Sequence, residues 1–369
     1  MPGERVSGNV VVEECLSGPA SLVSEWEASG LGTRAYPPFL HPGYVDLWAR
    51  YLGASARLRI LSARRDGQLV GYIPLMETPD SVGRLHVACL RFIGNNVGHP
   101  GDILYADIPA ADPRREIVAA ILRHARSKWR VPKWDLGYLD PRSPTCEIAR
   151  DLLDVRDEDR RFLAAQPYVS LDLPGGWDAY LEALSARTRK NFRRSVAALS
   201  GMGELRLHVH RTPEEAARRV EELIRNHDRW WRGTSRANWF GDAAARAFLV
   251  AAARFLEARG EYLAFALELD GSPIAWSTGA FHDGRYYEQL VSFDRTHGIH
   301  SPGTTLSFYL IRYLSERGVR RIEMGPGLDQ RKTTLGGRAT PYPRIEGYPG
   351  WLRRIARVRR TIAKRGRRG

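Results

Sequence analysis

Three runs of strand-forming, largely apolar residues stand side by side in the second half of the chain, at 262–269, 272–282 and 285–293, with Asp270-Gly271 and Asp283-Gly284 between them. Asp-Gly tolerates the positive φ that both central positions of a two-residue hairpin require, so two successive hairpins and three antiparallel strands are expected. The third strand runs into 295–305. There Ser301 can cap a helix, Pro302 suits its first position, and 306–317 carries helical periodicity. Past Gly318, residues 319–324 read as another strand, followed by Gly325-Pro326-Gly327 and the basic pair Arg331-Lys332.

The first half repeats this order less clearly. A strand at 10–12, helices at 21–28 and 45–51, a hairpin of 58–64 and 69–75 about Asp66-Gly67, and a strand at 85–93 precede a polar loop at 94–102. A helix over 112–129 and a strand at 133–138 close it. In between, a strand at 168–173 ends at Pro174-Gly175-Gly176 and introduces a helix over 180–199, and a further helix begins near Pro213. The parallel order of the halves predicts tandem domains. A chain of 369 residues also exceeds one ordinary core.

Composition narrows the class. No run of about 18 apolar residues occurs, and the first residues lack the charged-then-apolar layout of a signal peptide, so a soluble, cytoplasmic protein is expected. Cys15, Cys89 and Cys146 are too scattered for a disulfide framework or a tetrahedral metal site and read as buried thiols. The net charge of +14 is concentrated at one end: residues 351–369 hold nine Lys or Arg and no acid. Trp351, Leu352, Ile355, Val358 and Ile362 fall near helical spacing there, so a basic amphipathic tail is expected, read as a solvated helix end or as a contact for an anionic membrane face, nucleic acid or an acidic partner. A second basic cluster, Arg187, Arg189, Lys190, Arg193 and Arg194, lies in the 180–199 helix. It reads as a solvated face or as a contact for a phosphate-bearing ligand.

The order hairpin, hairpin, glycine-bearing loop, helix, strand resembles the core of the GNAT acyl-CoA N-acyltransferase superfamily. Asp294, Ser301-Pro302-Gly303, Gly318, the 319–324 strand, Gly325-Pro326-Gly327, Arg331-Lys332 and the Arg189-Lys190-Asn191-Phe192-Arg193-Arg194 segment are similar to its CelD/BioF2-like branch, which is related to the Fem aminoacyltransferases. That resemblance implies an α/β (α+β) fold of tandem GNAT-like domains, each a mixed, largely antiparallel sheet flanked by helices. The expected division is 1–165, 166–350 for the acyl-CoA domain, and 351–369 for the tail. It further implies acyl-CoA (acetyl-CoA or longer) as co-substrate, a small amine, amino-sugar or amino-acid acceptor, and no metal. Nucleic acid enters only if the donor is aminoacyl-tRNA, as in the Fem proteins. The CelD likeness also admits a non-catalytic accessory protein of envelope polysaccharide synthesis.

Candidate residues follow. By position, the strand carrying Leu290, Val291 and Ser292 offers its backbone to the acyl group and pantetheine. His297, Gly298, His300, Ser301, Gly303 and Thr304 surround the helix start, whose unpaired N–H groups suit a diphosphate. Glu288 sits mid-strand among aromatic neighbours, where an acid has a task or a partner; it reads as the general base or as the ion-pair partner of a cation such as Arg321. Glu323 is the second base candidate. Lys332 and Arg331, in the loop leaving the 319–324 strand, are candidates for substrate phosphate or carboxylate. Trp230 and Trp231 could wall an acceptor channel, and Asn96 and His99 could recognise the acceptor from the first domain. His208 and His210 share a strand without a third metal ligand in view. No cysteine is placed as a nucleophile, so direct attack in a ternary complex is expected.

Overall fold

The structure, a computed structural model, describes residues 10–29, 31, 37–82, 84–94, 104–105, 111–137, 139–141, 143–152, 167–231, 241–348 and 352. The chain divides into two units, 1–165 with 341–369, and 166–340.

In the first unit, β1 (Val11–Glu14) is followed by α1 (Val23–Ala28) and α2 (Pro42–Leu52), then β2 (Arg57–Arg65), β3 (Gln68–Val82), β4 (Leu85–Phe92) and β5 (Leu104–Tyr105). Next come α3 (Ala111–Lys128), β6 (Lys133–Leu136) and α4 (Pro144–Leu152). β1 to β4 pair antiparallel in order, and β6 joins β4 in parallel, Cys89 opposite Lys133 and Arg91 opposite Asp135. Helix α3 lays Ile117, Val118, Ile121, Leu122 and Ala125 against Leu61, Ile73, Leu75, Leu90 and Phe92 of this sheet. That spacing is the apolar stripe of an amphipathic helix.

The second unit opens with β7 (Pro167–Asp172), α5 (Gly176–Ala183), α6 (Ala186–Ser200), β8 (Leu205–Val209), α7 (Pro213–Trp231) and α8 (Ala243–Ala258). The predicted meander follows as β9 (Tyr262–Leu269), β10 (Ser272–His282) and β11 (Arg285–Phe293), then α9 (Pro302–Ser315), β12 (Arg321–Pro326), α10 (Gln330–Thr334) and β13 (Arg338–Pro341). The sheet order is β13-β7-β12-β11-β10-β9-β8, and from β7 to β8 the pairs are antiparallel except for β11 with β12. Asp270 and Gly271 take φ of 48° and 74°, Asp283 and Gly284 of 43° and 69°. Both turns are thus of the kind the Asp-Gly pairs predicted. Helix α9 fills one face of the sheet with Leu306, Phe308, Leu310, Ile311 and Leu314, while Leu223 of α7 meets Ala266 and Trp276 on the other.

Two expectations change. The single helix expected over 180–199 is two, because Leu184 is extended and Ser185 restarts the helix, its Oγ accepting from Thr188 N–H at 3.1 Å. Arg189 then donates to the carbonyls of Leu181, Glu182 and Leu184 at 3.2, 3.1 and 2.6 Å, satisfying the end of α5. The second change concerns the boundary at 350. The last strand, β14 (Ile345–Gly347), pairs with β6 of the first unit, Ile345 opposite Leu136, and Arg344 binds Asp135. The second unit therefore stops at Thr340. Apart from Leu352, the basic tail lies outside the described residues.

Candidate active site

Three rungs join β11 to β12 in parallel: Arg285 with Arg321, Tyr286 with Ile322 and Tyr287 with Glu323. Among the described residues this ladder ends there, yet β11 stays paired to β10 as far as Phe293 opposite Ala275. Residues 288–293 thus have one bonded edge and one open edge, and the sheet splays between its two central strands. An open strand edge presents N–H and C=O groups to whatever enters.

A bulge shapes that edge. Glu288 opposes Gly279 and Leu290 opposes Thr278, which leaves Gln289 as the extra residue. The insertion reverses the side-chain alternation. Tyr286 packs in the α9 core, whereas Leu290 joins Leu223 and Trp276 on the α7 face. Ser292 follows Leu290 and accepts from Asn226 Nδ2 of α7 at 2.7 Å, and the same amide donates to the Phe293 carbonyl at 3.0 Å. Gly279 is required here, since a Cβ would lie 2.3 Å from the Tyr287 carbonyl oxygen and 2.6 Å from the Tyr286 ring. The sequence reading missed Gly279, Gln289 and Asn226. A glycine inside a strand run was the available signal.

Beyond Phe293, Asp294 accepts from Thr296 N–H and Oγ1 at 2.9 and 2.8 Å and starts a 3-10 turn, Arg295–His300. Its carboxyl is buried enough to be pushed up, but these hydrogen bonds prevail and hold it below the usual value. Ser301 then adopts φ 52°, donates its N–H to the Gly298 carbonyl at 3.0 Å, and turns the chain into α9. The hydroxyl cap expected of Ser301 is absent: no side chain caps α9. Pro302 brings no N–H, and Gly303 packs beneath Phe293, where a Cβ would come within 3.1 Å of Cδ1. Thr304, His297, Gly298 and His300 are half-buried, and His297 Nδ1 lies 3.0 Å from Thr296 Oγ1.

The two acids have different surroundings. Glu288 meets Arg331, not Arg321, in a two-pronged pair of 3.0 and 2.6 Å, with 5% of its side chain exposed. Arg331 also donates to Ser307 Oγ at 3.1 Å, and Ser307 donates to the Gly303 carbonyl at 3.0 Å. A continuous set of hydrogen bonds therefore runs from the open strand to the start of α9. Burial alone would lower the Arg331 pKa; Glu288 raises it further than that. Glu323 is also buried, and its Oε1 accepts from Arg321 Nε at 2.7 Å, while its Oε2 has no hydrogen-bond partner among the described residues.

Lys332, a candidate for substrate phosphate or carboxylate with solvent exposure as the alternative, is not solvent-exposed. It is buried, and its ammonium donates to the carbonyls of Gly325, Pro326 and Gly327 at 3.2, 2.9 and 2.9 Å, all three of its hydrogens committed. Desolvation, with Arg331 next to it, holds its pKa below the ordinary lysine value. Trp230 Nε1 donates to Asn226 Oδ1 at 3.2 Å, and the guanidinium groups of Arg229 and Arg295 sit 5.3 and 5.7 Å from its ring. Asn96, His99 and the side chain of Trp231 lie outside the described residues.

His208 and His210 point to different partners. His210 Nδ1 accepts from Ala264 N–H at 2.8 Å, and burial lowers its pKa. Among the described residues the one cluster with metal-ligand spacing is Asp80, Cys89 and Asp135 in the first unit. Lys133 holds Asp80 at 2.9 Å, and Arg91 and Arg344 hold Asp135. Burial pushes the Cys89 thiol up to about 12. Lys133, Arg91 and Arg344 thus already neutralise the two carboxylates of this cluster.

The second unit is thus a mixed sheet that opens between two parallel strands and leads through a 3-10 turn to a helix start without a side-chain cap. Residues 186–333, which lie within the second unit, match the family described as "Acetyltransferase (GNAT) domain". No curated protein matches it. In fold the chain is similar to FemX (TM-score 0.58, 11% identity, covering 92% of this chain and 98% of that one). It is also similar to a conserved protein of unknown function from Bacteroides thetaiotaomicron (0.53, 12%, 92% and 99%). A third likeness is the C-terminal domain of a candidate lysylphosphatidylglycerol synthetase from Agrobacterium fabrum (0.50, 11%, 94% and 97%). These likenesses extend over both units and concern the fold alone.

Proposed function

We propose that the second unit transfers an acyl group from acyl-CoA to an amine by direct attack. The open edge of β11 over 288–293 carries the reading, because it offers backbone groups to a pantetheine chain and a thioester carbonyl within one helix start of a diphosphate position. Acyl transfer to an amine also requires removal of a proton. Glu288 has both oxygens committed to Arg331, so Glu323, with Oε2 unpartnered, is the better base. The acceptor is a small-molecule amine.

Calorimetric titration of the full chain with acetyl-CoA, followed by measurement of CoA thiol release with amino sugars, amino acids and polyamines, tests this reading. Saturable binding and amine-dependent release are expected; absence of both sinks it. The FemX likeness extends to the fold and leaves aminoacyl-tRNA as the second donor to test. Activity without CoA that ribonuclease abolishes would select that donor.

A further inference from the structure

Helix α6 carries four cations that the rest of the second unit leaves unneutralised. Arg187, Lys190, Arg193 and Arg194 are exposed, and none meets a carboxylate among the described residues. Three less exposed arginines of the unit, by contrast, have acids: Arg219 binds Glu222 and Glu268, Arg321 binds Asp172 and Glu323, and Arg331 binds Glu288. From 183 to 203 the sequence has no acid at all. The helix dipole does not account for the cluster either, because the last turn of α6 holds no cation.

The helix is firmly fixed. Ser185 caps its start, Arg189 is committed to α5, and Phe192 packs 4.3 Å from Phe308 of α9 and 6.4 Å from Trp177. At about 100° per residue, Arg187, Lys190 and Arg194 fall opposite Phe192, with Arg193 on the flank, along about 10 Å of helix. Such a cationic face holds its charges close together without a carboxylate beside them among the described residues.

Its position connects it with the donor. Glu204, just past α6, is tied to the β9–β10 turn through Asp270, with bonds of 2.7 and 2.9 Å. That turn lies at the same end of the sheet as Phe293 and the start of α9, because Ala275 of β10 opposes Phe293 of β11. Helix α6 also touches the 295–300 turn directly. The end of α6 thus lies beside the turn that leads into α9, and Phe192 packs on Phe308 one to two turns further along that helix, with the cations on the outer face.

We propose that this face of α6 is a phosphate subsite for the nucleotide end of the donor, receiving the 3′-phosphate that distinguishes CoA from its dephosphorylated form. The subsite rests on the acyl-CoA reading and makes it more specific: the donor is a 3′-phosphorylated nucleotide thioester and not a bare pantetheine carrier. A phosphomonoester dianion suits arginine and lysine donors better than any neutral group would.

Calorimetric titration of the full-length protein with CoA and with 3′-dephospho-CoA tests it. The unaltered protein is expected to bind CoA about tenfold more tightly, equivalent to about 1.4 kcal/mol. A Lys190→Ala/Arg193→Ala/Arg194→Ala variant is expected to lose that preference while binding 3′-dephospho-CoA as before. The charge-retaining Arg193→Lys/Arg194→Lys variant is expected to keep it. Equal binding of both ligands by the unaltered protein, or an undiminished preference in the triple variant, overturns the subsite and leaves the acyl-CoA reading standing. Binding of neither ligand overturns the acyl-CoA reading, and the subsite with it.

Discussion

At the level of single residues, the site depends on which buried charges have partners. Removing one member of the Glu288–Arg331 pair leaves the other uncompensated in the interior, which costs about 3–5 kcal/mol. Arg331→Met is therefore expected to lower the denaturation midpoint strongly, and the double variant Arg331→Met/Glu288→Leu to regain most of the loss, as urea unfolding would record. If Glu323 is the base, Glu323→Gln is expected to reduce kcat by about 10²–10³-fold with little change in acetyl-CoA affinity. An unaltered rate in that variant would remove Glu323 from the chemistry. Gly279→Ala should cost at least about 2 kcal/mol, because the new methyl meets the Tyr287 carbonyl and not a movable side chain.

Acid sensitivity is also a residue-scale property. Burial works to raise the Asp80 pKa, but Lys133, the Ser81 N–H and Arg91 outweigh it, and the folded value lies below the ordinary 3.8. A depressed carboxyl contributes stability that is present above the unfolded pKa and lost as pH falls through the folded one. Thermal scans are therefore expected to show stability falling below about pH 4. Asp80→Asn should flatten that part of the curve.

At the level of elements, the meander β9–β11 and helix α9 were legible because each rests on a local signal: Asp-Gly at both turns, Pro302 at a first helical turn, and unbroken apolar runs between. The break between α5 and α6 was not legible, since Ala183 to Ala186 carries neither Gly nor Pro and the Ser185 cap looks like an ordinary helical serine. Ser185→Ala is expected to cost about 1 kcal/mol. The bulge in β11 was hidden for a related reason. Gln289 is extra only relative to β10, and a register is a property of two strands.

For the whole molecule, the units are closed by strands distant in sequence. β7 follows directly on the first unit yet lies beside β12 in the second sheet, and β14 comes last in the chain yet pairs with β6 in the first. A chain ending at Thr340 is therefore expected to lose protection in the first unit, not the second, as hydrogen exchange over β6 and α4 would show. Preserved exchange there would count against the division at 340. Among the described residues no helix is long and apolar enough to cross a membrane.

Sequence by itself determined the tandem organisation, the meander, the glycine-bearing turn before α9 and the identity of the two buried acids, because turn chemistry and hydrophobic runs act over a few neighbouring residues. Only the tertiary structure decided which cation each acid met, which strand closed which sheet, and that Lys332 spent its charge on three carbonyls. Those outcomes join residues 43, 155 or 209 positions apart, as Glu288 to Arg331, Tyr180 to Leu335 and Asp135 to Arg344 show. Packing selects such pairs after the chain has folded back on itself, and no local pattern encodes the selection.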